Sequence, residues 1–134
     1  MTLDVLELTV RLLAPEDILF QAGQYVQFKI GNDVRSYSIA VPPSGVNNQI
    51  LVFCVKLEPD GVGSNFVRGL KTGDEVVMRG PFGNFVVQNF EQPIFFIATG
   101  VGIAPYASII PDMLMRGFKQ PVRLLFGLRS EDNV

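Results

Sequence analysis

The sequence predicts a mainly β chain in two parts, an antiparallel β-barrel or sandwich followed by a single βαβ unit. Two observations carry this. Up to about residue 88, short segments of alternating polar and apolar residues recur at regular spacing between turn signals such as Ala22-Gly23, Gly31-Asn32-Asp33 and Thr72-Gly73-Asp74. Near Phe90 the pattern changes, and continuous apolar runs at 94–98 and 122–126 flank a glycine-rich turn and a helical stretch.

Residues 5–13 alternate through Leu6, Leu8, Val10 and Leu12, as a half-buried antiparallel strand does. Residues 24–30 alternate again, and a hairpin turn leads into a strand over 34–41, ended by Pro42-Pro43. Residues 49–57 form the next strand, closed by Glu58-Pro59-Asp60-Gly61. Ser64 has N-cap chemistry for a short helix over 65–70. A strand over 75–79 follows, then a corner at Gly80-Pro81-Phe82-Gly83 and a short last strand over 85–87. The boundary between the parts falls between Val87 and Pro93, giving domains over 1–90 and 91–134. In the second, a buried strand over 94–98 precedes a helix over 104–116, which Pro111 is expected to kink or end, and a strand over 122–126.

Composition excludes several chemistries within this chain. With 134 residues and no histidine, it holds no Ser-His-Asp site and no histidine-ligated zinc or haem. Its one cysteine, Cys54, closes no internal disulfide and holds no four-cysteine cluster. The chain therefore only binds, or a bound organic cofactor brings the chemistry. A net charge of -2 gives no global argument for nucleic acid. Acidic residues stand where a signal peptide would be basic, and a lone cysteine suits a reducing, cytoplasmic setting. The uncharged stretch 93–110 has the length of a membrane span, but Gly100, Gly102 and Pro105 break a helix at its middle.

Three segments have the residue types of a nucleotide site. Thr99-Gly100-Val101-Gly102 lies between a buried strand and a helix, where glycines admit a pyrophosphate and the helix N-terminus offers N–H donors. Pro105 suits the first helical turn. The plainer alternative is a connection that merely needs glycine. On Arg35-Ser36-Tyr37-Ser38, an arginine, a ring and hydroxyls offer a phosphate contact, a stacking surface and hydrogen-bond partners. Alternation places Arg35 and Tyr37 on one face and Ser36 and Ser38 on the other. Taken alone, this segment reads more readily as an edge strand with a snorkelling arginine. Gly61-Val62-Gly63-Ser64-Asn65 is either an anion site at a helix start or simply a turn and cap. Arg35, Lys56, Arg68, Lys71 and Arg79 supply local positive charge, although the last helical cations have the usual solvated alternative. Cys54 points away from Phe53 and Val55 as an ordinary thiol.

In this order, Arg-Ser-Tyr-Ser at 35–38, Gly-Val-Gly-Ser-Asn-Phe at 61–66, Gly-Asp-Glu-Val at 73–76, Gly-Pro-Phe-Gly at 80–83, Thr-Gly-Val-Gly-Ile-Ala-Pro at 99–105 and Phe-Gly-Leu-Arg at 126–129 resemble the ferredoxin–NADP reductase superfamily, nearest to flavin reductases and oxygenase reductase components. The resemblance implies a six-stranded antiparallel Greek-key flavin-binding barrel and a nicotinamide-nucleotide domain. It implies FAD rather than FMN as cofactor and NAD(P)H as substrate. It also implies an electron-acceptor partner: a ferredoxin, an iron–sulfur domain or an oxygenase. Arg35 would hold flavin phosphate, with Ser36 beside it on the motif strand. Tyr37 would pack on the isoalloxazine or ribityl chain, and Ser38 would sit near flavin N5. Backbone groups of Phe53, Cys54, Val55 and Lys56 would line the flavin's other side. Gly61, Gly63, Ser64 and Asn65 would surround the pyrophosphate. Thr99, Gly100, Val101 and Gly102 would meet the nicotinamide nucleotide, and Arg129 its adenosine end. Hydride transfer between two organic rings needs neither histidine nor metal, which agrees with the composition.

The second domain holds one strand–helix–strand where the family carries a whole α/β domain, so the chain reads as truncated. Apolar surface around Phe95, Ile97, Leu124 and Phe126 is expected to be exposed, with its sheet edge open to pairing with a second copy. Two alternatives keep the fold without the full reaction: a non-catalytic flavin- or nucleotide-binding electron-transfer subunit, and a β-barrel interaction module without cofactor.

Overall fold

The computed structural model describes residues 4–45 and 48–127. Its elements run β1 (Val5–Arg11), β2 (Tyr25–Ile30), β3 (Asp33–Ser38), β4 (Ile50–Lys56), α1 (Val62–Gly69), β5 (Met78–Phe82), β6 (Ile94–Thr99), α2 (Ala104–Met115) and β7 (Val122–Gly127).

The first five strands are antiparallel and wrap one core. β1 pairs β4 from Val5↔Lys56 to Arg11↔Ile50, and β2 lies between β3 and β5. The two sheets join where Ala40 N–H donates to the Val52 carbonyl at 2.8 Å. Alternation decides what enters the core. Leu51, Phe53 and Val55 of β4 and Val26 and Phe28 of β2 are buried, while their neighbours face outward. Phe28 stands edge-on to Phe53 at 5.1 Å and to Tyr37 at 5.4 Å. Each fully buried ring contributes about 1.5–3 kcal/mol by area alone, so this aromatic stack anchors the barrel. Five regular strands are seen among the described residues of this part, where the resemblance implies six.

Several boundaries differ from expectation. The fifth strand runs over Met78–Phe82 rather than 75–79. Its register on β2 shifts between Tyr25 and Gln27, a bulge near Gly80 (φ +148°), so the expected corner is carried inside the strand. No strand forms over 85–87. There Phe85 turns its ring edge to Tyr106 of α2 at 5.7 Å, a tertiary contact that replaces a ladder. Helix α1 starts at Val62 with Gly61 as N-cap, not at Asn65 with Ser64 as cap. The Ser64 hydroxyl instead accepts from Glu58 N–H at 2.8 Å and donates to the Lys56 carbonyl, so it ties the helix to the end of β4. Pro111 lies inside α2, which continues to Met115. The proline leaves the Ala107 carbonyl without its helical donor, and buried Ile109 and Met113 on either side hold the helix to the sheet.

β6 and β7 are parallel, paired from Ile94↔Val122 to Thr99↔Gly127. Phe96 and Ala98 pack under α2 with Tyr106, Ile109 and Met113. The Tyr106 hydroxyl donates to the Ile97 carbonyl at 2.8 Å. Ala22 belongs to this second core, so the two parts are packed together. Gly23 (φ +97°) permits the approach, since a Cβ there would overlap the Phe85 carbonyl oxygen and lie 2.9 Å from Ile109 Cδ1. On the face away from α2, Phe95 and Ile97 are 59% and 62% exposed, with exposed Leu125 in register with Ile97; Leu124 and Phe126, in register with Phe96 and Ala98 on the other face, are exposed as well. No helix among the described residues is long and apolar enough to cross a membrane.

Candidate functional site

The site is built where α1 closes over β3. Register on β2 sets Arg35 opposite Phe28 and Tyr37 opposite Val26, so both lean toward the barrel interior and its mouth. Ser36 and Ser38 lie opposite Gln27 and Tyr25 on the outer face. Ser38 is the last residue of the strand.

The first turn of α1 has no side-chain cap and no acidic residue. Asn65 N–H is taken by the Gly61 carbonyl at 2.8 Å, which leaves the N–H groups of Val62, Gly63 and Ser64 without helical acceptors. The helix dipole adds partial positive charge at that end. Gly63 brings this turn against β3: a Cβ on it would lie 3.4 Å from Arg35 Cγ and less than 3.0 Å from the Tyr37 hydroxyl. Backbone donors and one phenol thus meet beside the stem of the Arg35 side chain. A phosphate or pyrophosphate is the ligand such a donor set fits, and a Cβ on Gly63 would have to displace the Tyr37 hydroxyl. FAD, with its pyrophosphate and ring system, suits the arrangement.

Neighbouring charges temper the cations. Arg35 Nη1 lies 3.7 Å from Asp33 and donates to the Val34 carbonyl at 2.8 Å. Lys56 Nζ pairs with Glu58. Arg68 donates to the Glu58 carbonyl and to Asn65 Oδ1, each at 3.2 Å, which occupies the Asn65 side chain. Sequence reading missed Asp33 and Glu58, although each stands two residues from its cation on a strand or turn, the spacing that sets side chains on one face. Burial pushes the Tyr37 phenol above its ordinary pKa, against the opposing pull of Arg35. It stays a neutral donor at physiological pH.

Phe53 and Val55 turn their side chains into the core, so their backbone alone is left to face a ligand. Cys54 points outward opposite Glu7, and burial, then the Glu7 carboxylate, raises its thiol pKa. The glycine turn Gly100–Ile103 is a 3-10 turn leading into α2. Gly100 adopts φ +50°, and a Cβ on Gly100 or Gly102 would meet nothing within 4 Å, so the turn is open to an approaching ligand. It lies beside β4, which brings the second glycine motif next to the strand of Phe53, Cys54, Val55 and Lys56. Arg129 lies outside the described residues.

An antiparallel barrel with an uncapped helix start at its mouth, joined to a parallel βαβ unit with an open glycine turn, defines a two-part nucleotide-binding protein. The chain belongs to the ferredoxin–NADP reductase superfamily: the family model of the oxidoreductase FAD-binding domain matches residues 1–87, and that of the oxidoreductase NAD-binding domain matches 96–134. It is 34% identical to the reductase component of propane 2-monooxygenase from Gordonia sp. (strain TY-5), over 97% of this chain and 38% of that protein. It is 33% identical to the anthranilate 1,2-dioxygenase electron transfer component of Acinetobacter baylyi, over 84% of this chain and 33% of that one. Among solved structures, the Amycolatopsis cytochrome P450 reductase GcoB superposes with a TM-score of 0.85 at 29% identity, covering 98% of this chain and 40% of the other. Ferredoxin-NADP+ reductase from Plasmodium falciparum, at 23% identity and a TM-score of 0.76 over 97% of this chain and 54% of that one, shares the fold. The chain thus spans between a third and two fifths of the length of these two curated relatives.

Proposed function

We propose that this chain carries the FAD site and the first part of the NAD(P)H site of a flavin-dependent oxidoreductase, which passes hydride from NAD(P)H to FAD and electrons onward to an iron–sulfur or oxygenase partner. The observation that carries the reading is the meeting of three free α1 N–H groups with Tyr37 and the stem of Arg35 at Gly63. When bound, FAD supplies the hydride-accepting ring, and the chain supplies position and charge. Arg35 and the backbone of Val62, Gly63 and Ser64 hold the pyrophosphate. The Ser64 and Asn65 side chains brace the turn through Glu58, Lys56 and Arg68. Tyr37 backs the flavin's ring or ribityl chain, Ser38 offers a hydroxyl at the end of β3, and the backbone of β4 lines the other side. The Thr99, Gly100, Val101 and Gly102 turn receives the nicotinamide nucleotide, supported by its openness and its place beside β4. Both named relatives are themselves a reductase or electron transfer component of an oxygenase, which supports the acceptor class.

A cytoplasmic location is supported by the lone cysteine. Pairing with a second copy is supported by the exposed face of Phe95, Ile97 and Leu125. The functional test is anaerobic addition of NADH and then NADPH to the FAD-loaded chain. Bleaching of the visible flavin band supports an enzyme. Bound flavin that neither nucleotide bleaches indicates a carrier or electron-transfer subunit.

A further inference from the structure

Gly63 is the glycine of α1 whose missing side chain faces another strand; at Gly61 a Cβ would meet Ser64 and Glu58 of its own turn. Its backbone is helical, with no left-handed φ to require the residue. Gly69, in the same helix, has open space where a Cβ would go. At Gly63 that space is filled by another side chain. A Cβ would come within 3.0 Å of the Tyr37 hydroxyl, 3.5 Å of Tyr37 Cζ and 3.4 Å of Arg35 Cγ. The ring atom and the Arg35 methylene are at ordinary van der Waals range, and the hydroxyl is not. The conflict is therefore with one oxygen. Tyr37 cannot retreat inward, because its ring stands edge-on against buried Phe28 at 5.4 Å. The Val26↔Tyr37 pairing holds its Cα, so the hydroxyl can move only by rotation of the side chain. Any added atom at Gly63 must swing the phenol out toward the mouth, or lift the first turn of α1 off β3.

We propose that Gly63 is a positioning residue for the flavin site: by its missing side chain it sets the seat of the Tyr37 phenol and the distance between the α1 N-terminal turn and Arg35. This rests on the FAD reading above. It assigns to position 63 a role distinct from donating an N–H to phosphate, which alanine would keep. Helix propensity points the other way, since Gly→Ala within a helix otherwise stabilises it.

The test is a double-mutant cycle of Gly63→Ala and Tyr37→Phe on the 134-residue chain, read by FAD dissociation constant, by the shape of the bound flavin's visible band, and by thermal midpoint without flavin. G63A alone is expected to weaken FAD binding roughly tenfold, the weight of an overpacked contact, and to change the band shape. Y37F removes the conflicting oxygen, so G63A/Y37F should bind FAD within about threefold of Y37F alone. Three results would overturn the inference while leaving the FAD reading intact: G63A binding FAD like wild type, G63A weakened to the same extent with or without Y37F, or G63A failing to fold, which would make the contact one of the fold. Wild-type chain that takes up no FAD overturns the FAD reading itself, and this inference with it.

Discussion

Removal of the Arg35 guanidinium is the perturbation whose size the structure best constrains. In the free chain the group is half exposed, donates to the Val34 carbonyl at 2.8 Å and lies 3.7 Å from Asp33. A charge-assisted hydrogen bond contributes about 1.5–3 kcal/mol where it is well made. Against that stands the loss of the Asp33 pair on binding, worth at most about 1 kcal/mol for an exposed contact. Arg35→Ala should therefore weaken FAD binding by about 1–2 kcal/mol, roughly tenfold. The same variant should unfold within about 0.5 kcal/mol of wild type, because its side chain is partly solvated and sits outside the core. Asp33→Ala should leave binding unchanged or tighten it slightly. Titration of the purified proteins with FAD, followed by flavin fluorescence at low and moderate salt, reads all three. Added salt should weaken wild-type binding more than that of the alanine variant. Equal affinity of Arg35→Ala and wild type at low salt would refute the placement of phosphate beside Arg35.

Other consequences are open to direct measurement. Gly23→Ala combines a left-handed φ of +97° with overlap on the Phe85 carbonyl. It should cost more than about 2 kcal/mol in a denaturant melt. Tyr106→Phe removes the 2.8 Å bond to the Ile97 carbonyl and should cost about 1 kcal/mol by the same assay. The folded-state pKa of Cys54 and that of Tyr37 are both raised. The stability they contribute is full below each group's ordinary value and is lost as pH rises through the raised one. Melts should therefore weaken on the alkaline side, and Cys54→Ser should remove the earlier part of that decline. Ile97→Lys with Leu125→Glu should lower any self-association seen by sedimentation, without loss of FAD binding.

Alternation carried most of the barrel into view from sequence, because Leu51, Phe53 and Val55 face one shared interior and their neighbours do not. What escaped depended on distant partners. The fifth strand follows its bulged register on β2, which no local pattern around Glu75 encodes. Ser64 looks like a cap by type, yet its hydroxyl is claimed by Glu58 and Lys56, six and eight residues away. Pro111 breaks isolated helices, but here the packing of Ile109 and Met113 outweighs one lost bond. At the site, residue types and alternation gave Arg35 and Tyr37 their shared face. The close approach of Gly63 to Tyr37 joins helix α1 to strand β3, beyond the reach of spacing.

If the α1 N-terminal turn and Arg35 hold the phosphates of a flavin dinucleotide, the phosphates must dominate its binding. Titration calorimetry of the 134-residue chain with FAD and with riboflavin, which shares the ring and lacks phosphate, tests it most directly. Saturation is expected at one FAD per chain, with riboflavin at least roughly tenfold weaker. Equal affinity for the two, or no uptake of FAD, would contradict it.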